Sequence, residues 1–155
     1  MGAYVIGADE GEAYWFLDNL MTVKASSDLT GNRGFALLEA VMPPGSAPPP
    51  HIHERDDEAW YVLEGEVEFN VVGQIFTADS GSFVFAPKGE EHGFRVTSST
   101  PLKVLAMSWP AGFADFVQEL GEPAVARTLP PEPKIDPERI VAVGQKHGIR
   151  VVPPG

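Results

Sequence analysis

The sequence contains no cysteine. It therefore has no disulfide framework and no thiolate that could serve as a nucleophile or a metal ligand. The absence of disulfides agrees with a reducing compartment, so we expect a cytoplasmic protein. The first residues, MGAYVIGADEGE, become acidic before any apolar segment develops, which predicts that there is no signal peptide. No apolar run approaches the roughly 20 residues of a transmembrane helix, and we expect no membrane partner.

Basic residues are also scarce. The chain of 155 residues carries 11 Lys and Arg against 22 Asp and Glu, a formal net charge of -11, and the basic residues form no cluster. Such a surface repels phosphate groups, which argues against nucleic acid and anionic membranes as partners. Without a cationic cluster, the chain also lacks the means to grip a sugar nucleotide or a dicarboxylate.

Turn-forming residues, in contrast, are abundant, with 16 Gly and 15 Pro. Short apolar and β-branched segments alternate with turn signals every 8–12 residues or so, which is typical of a β-sandwich or barrel. In the clearest of these segments Val67, Phe69 and Val71 alternate with polar residues, as in a strand with one wet face. We predict an all-β fold with strands at 13–26, 35–42, 58–63, 66–72, 83–86, 92–96 and 102–109, and a loop at 26–34.

After Pro110 the pattern becomes helical. Phe113, Phe116, Val117 and Leu120 form one apolar stripe, which predicts a helix that ends near Gly121. A second helix is predicted from its cap, Asp136, with Pro137 in the first position, to about His147. We therefore divide the chain into a β-barrel domain, residues 1–122, and a Pro-rich and helical C-terminal appendage, residues 123–155, that packs on the barrel or on a partner chain.

The stretch PPPHIHERDDE, residues 48–58, holds two of the four histidines. His51 and His53 share one face of a strand, and we expect a hairpin through ERDD to bring Glu58 opposite them. His92 opens a later strand. Imidazoles and a carboxylate suit Zn, Fe, Ni, Mn or Cu, although a single half-buried strand histidine is more often structural. We interpret His147, at the end of the second helix, as a solvated or capping residue.

The residues from Gly45 to Gly65 resemble the first motif of the cupin family at every fixed position, and those from Gly81 to Val96 resemble the second. The second motif matches at its Gly, Pro, Gly and His positions, but Val96 stands where the family usually has Asn. The resemblance implies a jelly-roll or double-stranded β-helix fold. It also implies one divalent transition metal per chain (Ni, Fe, Mn, Co, Zn or Cu), with the ligands His51, His53, Glu58 and His92.

Apolar residues surround these ligands in the sequence. Trp60 and Val62 share a strand face with Glu58, and Phe94 and Val96 flank His92. We predict that these four residues line a substrate pocket for an apolar or aromatic small molecule. The alternative is that they fill the barrel core, which we favour for Val62 and Val96.

The context DEAWYVLEGEVEF is similar to that of bacterial quercetin 2,3-dioxygenase-like cupins. That resemblance implies O2-dependent cleavage of a flavonol ring with loss of carbon monoxide, and a role for Glu58 as metal ligand and general base. Two alternatives stay open: a non-oxidative cupin enzyme (isomerase, cyclase or decarboxylase), and a non-catalytic binding module. Exposed apolar strands and the appendage favour a homodimer. We interpret the turn residues Arg55, Asp56 and Asp57 as solvated, with contacts to a metal-bound histidine as the alternative.

Overall fold

A computed structural model of the chain describes residues 2–153 and consists of two antiparallel β-sheets packed face to face. In spatial order, the seven-stranded sheet contains β11 (Glu122–Pro123), β1 (Ala13–Phe16), β2 (Asn19–Ala25), β3 (Ala36–Met42), β10 (Leu102–Trp109), β5 (Asp57–Glu64) and β8 (Phe83–Ala86). The five-stranded sheet contains β12 (Ile149–Val151), β4 (His51–His53), β9 (Glu91–Val96), β6 (Glu66–Val71) and β7 (Gln74–Asp79). The predicted all-β jelly-roll fold is confirmed.

The alternating strands place their apolar side chains between the two sheets. In β6, Val67 and Phe69 are buried in the core, whereas Glu66 and Asn70 are exposed. The same alternation holds along β3 and β10, whose inward residues belong to the same core cluster. Burial of this apolar surface is the main stabilising contribution to the fold.

Two local features differ from the prediction. The segment 26–34 contains a short helix, α1 (Ser27–Thr30), because the hydroxyl of Ser26 accepts a hydrogen bond from the N–H of Leu29 at 3.3 Å and so caps it. The strand β7 was absent from the prediction because most of its side chains are exposed and show no apolar alternation. It forms through a tight turn after β6, in which Val72 and Gly73 both adopt positive φ values, 48° and 79°.

Both predicted helices are confirmed as α2 (Gly112–Leu120) and α3 (Pro137–Lys146). The carboxylate of Asp136 caps α3 by accepting a hydrogen bond from the N–H of Arg139 at 3.2 Å. Helix α2 buries Phe116 and Val117 against the sheets. Neither helix, nor any other in residues 2–153, has the length and apolar character needed to cross a membrane.

The segment predicted as an appendage contributes a strand to each sheet. Strand β11 pairs with β1, and β12 pairs with β4, where Ile149 lies opposite His53 and Val151 lies opposite His51. Helix α3 packs against β12 and α2. The C-terminal residues therefore cover the edge of the strand that carries two of the predicted metal ligands.

Truncation of the chain after Gly148 is expected to destabilise the fold. It removes the pairing of β12 with β4 and the buried side chain of Ile149, 6 % exposed. Loss of one buried Ile costs about 2–5 kcal/mol, which corresponds to a melting temperature lower by roughly 10 °C in a chain of this size. The measurement is thermal unfolding followed by circular dichroism. A chain lacking only residues 154 and 155 is the control, and an unchanged melting temperature after the longer truncation would contradict the prediction.

Candidate metal centre

Three histidines meet on the inner face of the five-stranded sheet. His51 and His53 come from β4, and His92 comes from the neighbouring antiparallel strand β9, where it lies opposite His51. Residues two apart on a strand share a face, and direct cross-strand partners share it too. The short strand β4 and its register with β9 therefore place all three imidazoles together.

Glu58 reaches these histidines from the other sheet. It belongs to β5, which pairs with β10 and β8 and not with β4. The predicted hairpin between β4 and β5 is therefore wrong, because residues 54–56 carry the chain across from one sheet to the other. Glu58 points into the interior from the opposite layer, so its position does not depend on the parity of a continuous strand.

The four side chains bring their donor atoms close together. Glu58 Oε2 lies 2.8 Å from His92 Nε2 and 3.0 Å from His53 Nε2, and donor atoms of all four residues lie within 4.8 Å of one another. Two atoms that bind one ion at about 2.1 Å and at right angles are about 3 Å apart. The spacing thus matches that of neighbouring ligands around a single ion, and the four residues form a group that could hold a metal.

The buried His53 ring supports this interpretation. Its exposed fraction is 2 %, and within residues 2–153 neither ring nitrogen has a hydrogen-bond partner of suitable geometry. An unsatisfied buried polar group costs about 1–3 kcal/mol. A cation that accepts the lone pair of Nε2 would remove that cost. Three imidazoles and one carboxylate are also a suitable ligand set for a divalent transition metal, so the residues present fit such an ion.

The backbone orients the other two imidazoles. His51 Nδ1 lies 3.0 Å from the carbonyl oxygen of Pro49, and His92 Nδ1 lies 3.2 Å from that of Glu90. A carbonyl oxygen only accepts, so Nδ1 carries the proton and donates in both rings. This tautomer leaves the lone pair of Nε2 free for a metal, and hydrogen bonds of this kind commonly fix the orientation of histidine ligands.

The environment holds two of the ligands, His51 and Glu58, in their metal-binding protonation states. Burial, together with the neighbouring His92, lowers the pKa of His51 to about 4, which keeps this imidazole neutral near pH 7. For Glu58, burial by itself raises the pKa, but His53 and His92 together outweigh it and hold the pKa below its ordinary value. A neutral imidazole and an ionised carboxylate are the forms that bind metals.

Asp56 is not solvated, which corrects the sequence interpretation of this turn residue. It is 3 % exposed and packs against the start of α2, where a Cβ atom on Gly112 would lie 2.7 Å from its Oδ2. Burial raises the pKa of this carboxyl above its ordinary value, against the opposing influence of His53. Its neighbours remain at the surface, where Arg55 donates to the carbonyl of Lys146 at 3.2 Å. Asp56 therefore connects the turn after β4 to helix α2.

An apolar cavity adjoins three of the four residues. It measures about 70 Å³, and Glu58, His51 and His53 form its inner end. Asn19 is the one other polar residue of its lining, and no Lys or Arg of the described chain contributes to it. Apolar side chains form the remaining wall, and they come from both sheets and from α2, α3 and β12. Prominent among them are Leu17, Met21, Trp60, Phe94, Phe113, Phe116, Ile140 and Ile149.

Two of the four predicted pocket residues lie at this cavity. Trp60 and Phe94 line it, and the Trp60 ring centroid lies 5.5 Å from that of His92. Val62 and Val96 instead lie in the hydrophobic core, 0 % and 2 % exposed, and do not line the cavity. Their strand faces are as predicted, but each step of two residues moves a side chain about 7 Å along the strand, so sharing a face does not mean reaching the same cavity.

The sequence interpretation missed the part of the wall that comes from distant segments. Phe113 of α2 lies 6.1 Å from the His53 ring centroid to centroid, and Ile140 of α3 and Ile149 of β12 complete the lining. The apolar stripe of α2 indicated that one helix face is buried, but not what it packs against. His147 takes the capping position of α3 and lies 3.3 Å from Glu119, away from the centre.

The chain is similar to several known proteins. Residues 38–108 match the cupin domain family. The chain is 28% identical to quercetin 2,3-dioxygenase of Bacillus subtilis over 131 residues, which is 84% of this chain but only 38% of that enzyme. It is 32% identical to the oxalate-binding protein of Thermotoga maritima over 82 residues, 53% of this chain and 68% of that protein.

Among solved structures, the fold is similar to that of a predicted oxalate decarboxylase from Thermotoga maritima. The TM-score is 0.63 at 25% sequence identity, and the match covers 69% of this chain and 99% of the other. The match spans nearly the whole of that structure, and about a third of this chain lies outside it.

Proposed function

Because the chain belongs to the cupin family, we propose that it is a metal-dependent dioxygenase acting on a flat aromatic, flavonol-like substrate. The observation that carries the proposal is the convergence of four donor residues, three of which line an apolar cavity. One divalent transition metal per chain (Ni, Fe, Mn, Co, Zn or Cu) would be held there by His51, His53, Glu58 and His92. The similarity to quercetin 2,3-dioxygenase supports the same activity.

The cavity wall favours an uncharged aromatic substrate. Trp60, Phe94 and Phe113 present ring surfaces to the cavity, and aromatic rings stack or pack edge to face with other rings. A dianion such as oxalate would enter without any Lys or Arg of the described lining to neutralise it. Apart from a bound metal, the described lining therefore offers no positive charge to an oxalate-like dianion.

The protein residues have separable roles in the proposed reaction. The bound metal would supply a Lewis acid that polarises the substrate and activates O2. His51 and His92 hold their Nε2 atoms toward it through the backbone hydrogen bonds of Nδ1. Glu58 accepts the proton of the substrate hydroxyl as general base. Because His53 and His92 hold the pKa of Glu58 below its ordinary value, Glu58 is a weak base and this step requires an acidic hydroxyl on the substrate. The apolar wall excludes water from the reacting groups.

The size of the cavity favours a second candidate. At about 70 Å³ it is smaller than the roughly 300–1,000 Å³ of typical ligand pockets. A three-ring substrate would require α2 and α3 to move outward, whereas a smaller apolar molecule would not. A non-oxidative cupin enzyme, such as an isomerase or decarboxylase with a compact substrate, is therefore the alternative.

Oxygen uptake distinguishes the two. We would purify the protein without a metal-binding tag, determine its metal content by elemental analysis, and measure O2 consumption with a series of flavonols. Uptake of one O2 per substrate consumed, with carbon monoxide released, supports the dioxygenase. Metal without O2 uptake, combined with turnover of a small substrate under anaerobic conditions, would support the alternative and overturn the first proposal.

Replacement of Phe113 by alanine is expected to weaken substrate binding. The ring lies in the cavity wall beside His53, and loss of one aromatic contact costs about 1–2 kcal/mol, or roughly a 5–30-fold increase in KM. The measurement is steady-state kinetics with the best flavonol. Phe76→Ala is the matched control, because this ring is 47 % exposed on β7 and lies outside the cavity. Equal effects of the two substitutions would contradict the predicted binding mode.

A further inference from the structure

One polar side chain stands in the apolar wall of the cavity, apart from the candidate ligands. Asn19 lines the cavity together with apolar residues of both sheets and of α2 and α3, and its exposed fraction is 2 %. Asparagine is seldom buried unless its amide is hydrogen-bonded, because an unpaired amide in an apolar environment is unfavourable. The hydrogen-bond partners of Asn19 therefore need to be identified.

The register of the β1–β2 hairpin fixes the direction of this side chain. Asn19 is the first residue of β2 and lies opposite Phe16, the last residue of β1. Met21, two residues further along β2, shares its face. Phe16 and Met21 both line the cavity, so the Asn19 amide belongs to the inward face of the sheet.

The protein uses only part of the hydrogen-bonding capacity of this amide. Within residues 2–153, the Asn19 side chain makes one hydrogen bond, with 3.4 Å between its Oδ1 and Ser46 Oγ. That distance is long for a hydroxyl donor, whose bonds are usually shorter than about 3.0 Å. The same hydroxyl lies 2.8 Å from Asp18 Oδ1. Because an amide has two donor hydrogens and an oxygen with two lone pairs, most of its capacity is left for a molecule in the cavity.

Asn19 and Glu58 belong to strands that lie far apart in the same sheet. In the sheet order, β3 and β10 separate β2 from β5. Neighbouring strands are about 4.8 Å apart, so three spacings place the strand of Asn19 roughly 14 Å from that of Glu58. The lining that the two intervening strands contribute is apolar, with Met42 from β3 and Ala106 from β10. A molecule that reaches both groups is therefore elongated, with an oxygen function at each end and an apolar body between them.

We infer that Asn19 determines substrate specificity, because its side-chain amide hydrogen-bonds a hydroxyl group at the end of the substrate remote from the metal. The inference rests on the proposed function and narrows its substrate class to flavonol-like molecules with a hydroxyl on an outer ring. A phenolic hydroxyl both donates and accepts, so it matches either end of the amide. A site that hydrogen-bonds a substrate hydroxyl discriminates against the analogue without it, since the buried amide is then left unpaired.

Paired ligands test the inference. We would measure the dissociation constants of 3-hydroxyflavone, whose outer rings carry no hydroxyl, and of its 7-hydroxy and 4′-hydroxy derivatives. Quenching of tryptophan fluorescence reports binding, because Trp60 lines the cavity. The metal-loaded protein is kept under anaerobic conditions, so that no ligand is consumed. The wild-type protein is expected to bind at least one hydroxylated derivative about 3–10-fold more tightly than 3-hydroxyflavone, the usual effect of one hydrogen bond.

The variant Asn19→Leu replaces the amide by an apolar group of similar size. It is expected to lose the preference for the hydroxylated derivative while it still binds 3-hydroxyflavone. Thr22→Val is the matched control, because Thr22 is a buried polar residue of the same strand, 6 % exposed, that does not line the cavity. This control should keep the wild-type preference. If Asn19→Leu loses its folded circular dichroism spectrum, Asn19→Ala replaces it.

Equal binding of all three flavonols by the wild-type protein would overturn the inference. So would a preference that persists in a folded Asn19 variant, or one that Thr22→Val abolishes equally well. O2 uptake with each flavonol is measured on the same samples. Uptake without any preference would leave the proposed function standing and overturn only the role of Asn19, whereas absence of both binding and uptake with all three flavonols would overturn the two together.

Discussion

Replacement of His53 by alanine is expected to abolish stoichiometric metal binding. The wild-type protein should contain about one equivalent of metal per chain, and the variant should lose it after dialysis. His53 is 2 % exposed and its Nε2 lies 3.0 Å from Glu58 Oε2, so its removal takes one of the four donors from a buried centre. Loss of a hydrogen bond to a ligand costs roughly 10–100-fold in metal affinity, and loss of the ligand itself should cost more.

The measurement is elemental analysis of protein purified without a metal-binding tag, together with circular dichroism to show that the variant is folded. His147→Ala is the matched control, because this histidine caps α3 and pairs with Glu119 at 3.3 Å, outside the centre. Retention of a full equivalent of metal in folded His53→Ala would contradict the assignment of this ligand. Absence of metal in the wild type after reconstitution with each of the six ions would contradict the site as a whole.

Replacement of Glu58 by glutamine is expected to reduce turnover per bound metal by about 100–10,000-fold, the usual contribution of a general base. Glutamine keeps the shape of the side chain but removes its negative charge and its capacity to accept a proton. The wild-type carboxylate is ionised near neutral pH because His53 and His92 hold its pKa below its ordinary value against the effect of burial. We therefore expect the variant to bind the metal more weakly and to turn over slowly even when the metal is saturating.

The measurement is single-turnover kinetics at saturating metal, normalised to the metal content of each sample. Glu54→Gln is the matched control. It lies four residues earlier, its side chain is 53% exposed, and it pairs with Arg150 at 3.0 Å. Full turnover per metal in Glu58→Gln would show that Glu58 serves as a ligand only, and that the proton goes to another group.

The resemblance to the two cupin motifs was what identified the four candidate ligands in the sequence. Glycines at the turns, the HIH pair and the alternation in β6 each involve residues that lie close together in the chain. Such features can therefore be recognised in the sequence. The helices α2 and α3 were predictable for the same reason, because an apolar stripe and a capping Asp involve residues within one or two helical turns of each other. Strand β7 was not predicted because most of its side chains are exposed and show no apolar alternation. It forms a strand by pairing with β6.

The tertiary structure decided which of these features meet. Glu58 reaches the histidines across the sandwich and not through a hairpin, because strand partners are chosen by long-range packing. Val62 and Val96 lie in the core and not at the cavity. Strand periodicity predicts which face of the strand a side chain lies on, but not where along the strand the cavity begins. Asp56 is buried because the start of α2 packs against it. The run of charged turn residues in the sequence had instead predicted a solvated side chain.

The sequence by itself predicted a cupin, with His51, His53, Glu58 and His92 as the candidate ligands, through its resemblance to two motifs. Such motifs can be recognised in the sequence because their residues lie close together in the chain. The tertiary structure alone decided the shape of the cavity. The cavity wall contains Phe113, Ile140 and Ile149, which come from segments far apart in the chain from the strands that carry the candidate ligands. Contacts between distant segments depend on how the two sheets and the helices pack, which no local pattern specifies.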